Sequence, residues 1–463
     1  MPRFPSRVPA VFEVLARAPG SLCALSGAPA ATTAPVGLFG TRETSVLSAD
    51  PFARLEIRRD RSARFFFRGG ETEDFSHGDP GTTIDYAIGR FSLAHATGIG
   101  PGCALAIAYE AAPWFAPVRL KPREGERGSD VLLVASFYEN VLTEDENGAL
   151  RMRATGYARE NAAAAEHARW LSAQLDQVSE STPPGPEAAT LQSSMSKESY
   201  LEALAAVQEF IAAGDIYQVN LSQQLSMSAG DPAAIWRRLV EAHPTGWSTW
   251  LDMGEAGVLL SNSPECFLRR RGQTLETFPI KGTRASEGSD AAATIEELRR
   301  DPKELAEHRM IIDLERNDLG RIAQIGSVDV PAREYVESYG TVHHLVSCVR
   351  ARVNERLSVG EILRATFPGG SITGAPKKRA MEIIDMLEPV GRGFYTGALG
   401  TISANGDMDL SIVIRAAHYR DGALHYSAGG GIVADSRAEA EVAESWLKAL
   451  AFLRACGMEG SHD

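Results

Sequence analysis

Four apolar runs crowd the middle of the chain, at residues 247–253, 257–260, 266–270 and 275–280. Only three to five residues separate each run from the next. Strands joined that closely pair antiparallel, because a parallel pair needs a crossover of about a dozen residues or more. The same punctuation recurs at both ends. Residues 55–57, 63–67, 104–109 and 131–138 read as strands before the middle, and 395–402, 409–419 and 424–428 read as strands after it. Helical spacing or capping residues place helices at 160–178, 197–213 and 294–299, from Asp301, from Pro376 and after Ser436. The expected class is α+β built on antiparallel sheet, and not a doubly wound parallel sheet.

Pro183-Pro184-Gly185-Pro186 marks 181–195 as a linker, between an N-terminal α/β region (1–180) and a second region (196–458). The formal net charge of -13 argues against a nucleic-acid or anionic-membrane partner, but leaves room for an anionic small molecule in a locally basic pocket. Five scattered cysteines without CxxC spacing fit a reducing compartment. No stretch reaches the ~20 apolar residues of a membrane-spanning helix. A cytoplasmic protein is expected.

Chemistry-bearing residues gather in the second region. Lys281 stands between Phe278-Pro279-Ile280 and Gly282 at a strand end. Such a lysine ordinarily packs its stem and keeps its amine in water, but a desolvated amine is a nucleophile. From Tyr217 to Gln224 the period is two, with Gln218, Asn220, Ser222 and Gln224 on one face, which is either solvated or the wall of a polar pocket. Ser263-Pro264-Glu265 sets a carboxylate at a strand entrance, and His344 shares a strand face with Val342 and Val346. Residues 367–376 form a glycine-rich loop before a helix, suited to an anion but lacking the Lys-Ser/Thr of a P-loop.

Two helices carry glutamates at i and i+3. Asp301, Pro302 and Glu304 make a capping-box pattern, with Glu307 on the same face. Later, Ser436 and Glu439 make a second such pattern, and Glu441, Glu444 and Lys448 form a stripe opposite Val442, Trp446, Leu447 and Leu450. Two such helices are either separately solvated or meet around a hard divalent cation, for which Mg²⁺ is favoured.

From about Ser196 to Cys456 the chain resembles the chorismate-binding enzymes: the component I subunits of anthranilate and aminodeoxychorismate synthases, and the isochorismate and salicylate synthases. The resemblance rests on Gly214 to Leu221, Ser263-Pro264-Glu265, Pro279 to Arg284, Glu304 to His308, Asp313 to Gly320, His344 to Ser347, Ser371 to Pro376, Ile414-Arg415, Gly429 to Gly431 and the Glu441/Glu444/Lys448 stripe. It implies two packed, mostly antiparallel sheets with helices outside. It implies Mg²⁺ held by Glu307 and Glu444, with Glu304 and Glu441 close by. Tyr395, Arg415, Lys448 and the backbone at Gly429 and Gly431 match positions that bind the substrate's carboxylates, with Gln218, Gly282 and Thr283 also lining the site. His344 and Thr373 match active-site positions, and Glu265 matches the general acid/base at the departing 4-hydroxyl of chorismate.

Within that family, Gln218 stands where water-using members carry a lysine, which points to ammonia. Lys281 stands where anthranilate synthases carry alanine, as it does in the aminodeoxychorismate synthases. The resemblance therefore implies attack by Lys281 at C2, loss of the 4-hydroxyl, and attack by ammonia at C4. To attack, the amine must be uncharged, and burial behind Phe278 to Ile280 beside Arg284 is the expected means. Ammonia is expected from a separate glutaminase subunit, component II. The rival readings are anthranilate synthase component I and a non-catalytic chorismate-binding subunit.

Overall fold

The computed structural model describes residues 8–25, 31–33, 45–75, 77–93, 100–121, 131–144, 149–158, 161–177, 190–285, 291–339 and 342–458. Its centre is two large sheets, of eleven and thirteen strands among the described residues. The first runs from Leu150–Ala154 and Asn140–Glu144 through Val46–Ser48, Leu22–Ala24, Trp247–Asp252, Val258–Ser263, Ala416–Arg420 and Ala423–Ile432. It ends on Gln218–Ser228 and the edge strand Leu191–Ser193. The second holds Asp329–Tyr339, Val342–Arg352, Thr274–Phe278, Cys266–Arg271, Met408–Ile412, Ala398–Ser403, Pro101–Ile107, Val131–Phe137, Ala53–Arg58 and Ala63–Phe67 in that order. Two of the three short connections in the middle segment join neighbours that pair antiparallel; the third, Pro264-Glu265, instead carries the chain from the first sheet into the second, so the strands it joins do not pair.

The N-terminal strands complete both sheets. Leu22–Ala24 ladders onto Trp247–Asp252, and Pro101–Ile107 onto Ala398–Ser403. The two regions delimited by composition thus share their sheets. Most of the expected linker, 181–189, lies outside the described residues.

Alternation decides which side chains meet. Leu22 and Ala24 face the main core with Leu55, Leu105, Leu133 and Leu399, while Cys23 and Leu25 face the opposite side with Phe12, Trp236, Trp250 and Phe452. Helices cover that opposite side, chiefly Pro232–Ala242 and Ala438–Ala455. Both faces of the first sheet are therefore buried, which makes its polar positions informative. No helix among the described residues is long and apolar enough to cross a membrane.

Three local expectations need correction. The run 409–419 is two strands, Met408–Ile412 and Ala416–Arg420, because Arg415 sits at φ +51 and breaks the extended backbone. The last helix starts at Ala438 after Arg437, which makes no side-chain cap; the Ser436 hydroxyl instead bonds Glu441 Oε1 at 2.7 Å. Leu447 on that helix is exposed, not part of its apolar side. Asp301 does cap its helix through the N–H groups of Lys303 and Glu304. Glu304 itself turns to Arg284, so the box is not closed through its side chain.

Candidate active site

The strand Ile280–Ala285 carries a bulge. Lys281 lies opposite Leu345 and Thr283 opposite His344, so Gly282 between them has no partner across the ladder. Gly282 adopts φ +67, and a Cβ there would meet Leu298 Cδ1 at 2.7 Å, so both backbone and space ask for glycine. A bulge re-aims the side chain beside it. Here Lys281 reaches toward the other sheet: a Cβ placed on Gly431 would lie 3.3 Å from Lys281 Nζ and 2.7 Å from Gln218 Nε2. Three strands thus bring Lys281, Gln218 and Gly431 together. The Thr283 side chain lies outside what is described.

The polar face of Gln218–Ser228 is buried at Gln218 and Ser222, half-buried at Asn220, Gln224 and Ser226, and exposed only at Ser228. Gln218 is fully buried, and neither amide atom has a hydrogen-bond partner in the protein. Buried amides left open in this way are rare outside places where a ligand or water completes them. Ser222 is spent on Glu388.

Glu265 is buried beside this cluster, and its carboxylate accepts the Ser371 hydroxyl at 2.5 Å together with a weaker backbone bond from Ile280. Burial pushes its pKa up to about 7; the Ser371 bond and the Lys281 charge oppose that rise without cancelling it. A carboxyl poised near neutrality can both give and take a proton. His344 is buried, and burial together with the Arg415 charge takes its imidazole down to about 3, so it stays neutral at working pH.

The glycine-rich loop hangs between these groups. Thr373 is fully buried with its hydroxyl donating to the carbonyls of Gly369 and Gly370, so it shapes the loop instead of pointing into the pocket. Beneath the loop, Glu315 accepts the Gly370 N–H at 3.0 Å, and Lys377 pairs with Asp318 while donating to the carbonyls of Thr366 and Pro368.

The four glutamates border the same cluster. Burial raises Glu307, and the nearby Glu304 and Glu441 raise it further against the pull of Lys281 and Lys303. Burial also acts to raise Glu444, but Lys448 at 2.7 Å, with Lys281, leaves it below the usual carboxylate range. Glu304 is paired with Arg284 at 3.0 Å. No three His, Cys, Asp or Glu side chains among the described residues converge closely enough to hold a metal by themselves. The donors nevertheless suit Mg²⁺, which takes one or two carboxylates together with waters and substrate oxygens. Repulsion among Glu304, Glu307 and Glu441 is what a divalent cation would relieve.

On the anion-binding side, Lys448 Nζ donates to the Gly429 carbonyl at 2.8 Å and Arg415 Nη1 to the Lys448 carbonyl at 2.9 Å. Gly429 to Gly431 ladder onto Ser222 to Asn220, while the ladder to Ala416–Arg420 stops at Tyr426. One edge of the glycine run is therefore outside any ladder. Tyr395 is buried in the turn before Ala398–Ser403, not within that strand. Arg284, expected to press its charge on Lys281, is held by Asp301 and Glu304. Lys281 itself is half-buried.

Two groups escaped the sequence reading. Ser371 stands in the sequence as part of a glycine-rich loop and as the first residue of a matching run, with nothing there to pair its hydroxyl with Glu265. Arg392, in Gly391-Arg392-Gly393, reads as an ordinary turn and carries no signal at all.

Residues 51–454 match the family described as chorismate binding enzyme. The chain belongs to that family. Among curated relatives it is 45% identical over 288 residues to aminodeoxychorismate synthase component 1 of Klebsiella aerogenes, covering 60% of this chain and 62% of that protein. It is 44% identical over 273 residues to anthranilate synthase component 1 of Thermus thermophilus, covering 58% and 59%. The chain thus spans less than two thirds of the length of either relative. Anthranilate synthase component I from Streptococcus pneumoniae shares the fold with a TM-score of 0.75 at 28% identity, over 90% of this chain and 93% of that one. The expected architecture of a chorismate-binding enzyme is the one observed. Near-equal identity to two differently named synthases leaves the choice of reaction to the site.

Proposed function

We propose that this family member aminates chorismate at C4, giving 4-amino-4-deoxychorismate on the route to p-aminobenzoate and folate. The observation that carries the reading is the meeting of Lys281, Gln218 and Gly431 within reach of a carboxyl poised near neutrality. The Klebsiella aerogenes relative bears the corresponding name.

In the proposed reaction the uncharged Lys281 amine bonds to C2 as the ring double bonds shift. The C4–oxygen bond breaks, and the proton on Glu265 leaves with the hydroxyl as water. Ammonia then bonds to C4, the double bonds shift back and the Lys281–C2 bond breaks. Glu265 is placed to take the proton that ammonia sheds. The neutral His344 contributes a hydrogen bond, not a charge. Arg415, Lys448, Tyr395 and the open edge of Gly429 to Gly431 receive the substrate carboxylates. Mg²⁺ would be held by Glu307 and Glu444, with Glu304 and Glu441 beside them, and would supply positive charge for the ring carboxylate. The relatives are named component 1, and we assign the supply of ammonia to a separate glutaminase subunit.

Incubating the protein with chorismate, Mg²⁺ and an ammonium salt, followed by mass and absorbance of the product, tests the reading. The 4-amino compound is expected. Anthranilate would establish the second reading, which the Thermus thermophilus relative favours. No turnover despite chorismate binding would establish a silent binding subunit.

A further inference from the structure

We propose that Arg392 and Glu388 position the substrate wall, a role that rests on the site read above. Arg392 is buried, and all five of its guanidinium N–H groups are used. Nε and Nη2 grip Glu388 at 2.9 and 2.7 Å. The other Nη2 bond goes to the Asn220 carbonyl at 2.7 Å, and Nη1 reaches the Ile372 carbonyl at 3.1 Å and Thr396 Oγ1 at 3.2 Å. Glu388 returns the tie by accepting the N–H and hydroxyl of Ser222 at 2.9 and 2.8 Å.

The three segments held in this way each carry one side of the pocket. Asn220 and Ser222 belong to the strand that presents Gln218. Ile372 follows Ser371, the donor to Glu265. Thr396 follows Tyr395. More than a hundred and fifty residues lie between Asn220 and Ile372. The backbone joins the strand to the loop where the Asn220 N–H meets the Thr373 carbonyl at 2.9 Å and Gln218 and Val219 pair with Ala375 and Gly374. The Arg392 side chain adds Glu388 and the turn at Thr396 to that seam. The Arg392 N–H adds a bond to Glu110 Oε1 at 2.7 Å, and its guanidinium stacks 4.8 Å from the Tyr109 ring, so the N-terminal region steadies the hub from behind.

Thr396 shows that the hub imposes a conformation instead of merely filling space. It adopts φ +60, where a β-branched residue is an outlier and persists only when its surroundings hold it. The Arg392 bond to its hydroxyl is one such hold, and the turn so fixed sets the direction of Tyr395.

Arg392→Lys tests the role, because a lysine keeps the charge beside Glu388 but has three donors for five acceptors. Chorismate Kd, measured by fluorescence titration, and the KM for chorismate are both expected to rise by about tenfold or more, with a smaller fall in kcat. A purely structural pair would instead lower the fraction of active protein and leave KM within about twofold of wild type, which overturns the proposal. If Arg392→Lys yields no folded protein, Thr396→Gly decides. Glycine accepts φ +60 without strain and removes only a small side chain, hydroxyl and methyl together, so the protein should fold and KM should rise by about threefold. An unchanged KM there overturns the proposal. A wild type that does not bind chorismate overturns the functional reading and this role with it, whereas variants that match an active wild type overturn the role alone.

Discussion

Glu265 and Glu388 are both buried carboxylates, and the protein treats them in opposite ways. Glu388 is saturated: two guanidinium bonds and both donors of Ser222 converge on it. Glu265 has fewer donors, the Ser371 hydroxyl and a backbone bond from Ile280, and burial outweighs them to push its pKa up to about 7. One carboxylate is fixed in place, and the other is kept ready to change its protonation. The difference is not one of burial, which is nearly equal at 4% and 5% exposure, but of how many donors the fold supplies. In the proposed reaction the saturated carboxylate builds a wall, and the undersupplied one moves a proton.

The largest effect should come from removing Lys281, the nucleophile of the proposed reaction. Lys281→Ala is expected to cut formation of the 4-amino product by about a thousandfold or more, read by product mass in the ammonium assay. Undiminished turnover would remove the covalent step and with it the reason to leave Glu265 undersupplied. On the other carboxylate, Glu388→Leu should cost about 3–5 kcal/mol of stability, since it strands the Arg392 charge in a buried site. A urea titration checks this, and a loss below about 1 kcal/mol would mean that water or another acceptor reaches Arg392.

Glu265→Gln should do the reverse. The native carboxyl titrates at about 7 against an ordinary 4.5, so between those values the folded protein binds more protons than the unfolded chain. Stability contributed at this position is therefore full below about 4.5, falls as pH rises and levels off above about 7, a total of about 3 kcal/mol. Glutamine carries no charge at any pH. The variant should gain about that amount at pH 8 and nothing at pH 4, while kcat falls by about 10²–10⁴. Equal stability of variant and wild type at pH 8 would show that Glu265 is not strained by burial, and the contrast with Glu388 would collapse.

Much of this contrast was within reach of the sequence, and some of it was not. Short turns between apolar runs give antiparallel neighbours except at Pro264-Glu265, where the chain passes from one sheet to the other, and alternation along Gln218 to Gln224 announces two unlike faces. Lys281 and Gly282 stand out because a lysine and a glycine in an apolar strand need a reason. Long-range polar ties leave no such trace. Arg392 is set in a turn-like tripeptide, and its acceptors are carbonyls, which every residue has. Arg415 and Thr396 take left-handed backbone that glycine would have advertised and they do not. The Ser436 hydroxyl was assigned to a helix cap because the local pattern fitted, when a carboxylate on the next turn, Glu441, competes better for it. Local patterns are legible from spacing; competition between partners is settled only in three dimensions.

The smallest and most discriminating change is to delete one hydroxyl from each carboxylate. Ser371→Ala removes the side-chain donor that holds Glu265 down, so the carboxyl should titrate higher and the alkaline limb of the kcat profile should move up in pH by about half a unit to one unit. Catalysis at pH 7 should drop only severalfold, because the loop backbone that flanks Glu265 is anchored separately through Glu315 and Lys377. Ser222→Ala takes the matching hydroxyl from Glu388, which keeps the Ser222 N–H and both guanidinium bonds. That variant should lose about 1 kcal/mol of stability and leave the pH profile where it was. If instead both variants shift the profile, the two carboxylates share one electrostatic network and Glu388 is part of the proton inventory. If neither does, the donor count is not what separates them, and burial alone sets the state of Glu265.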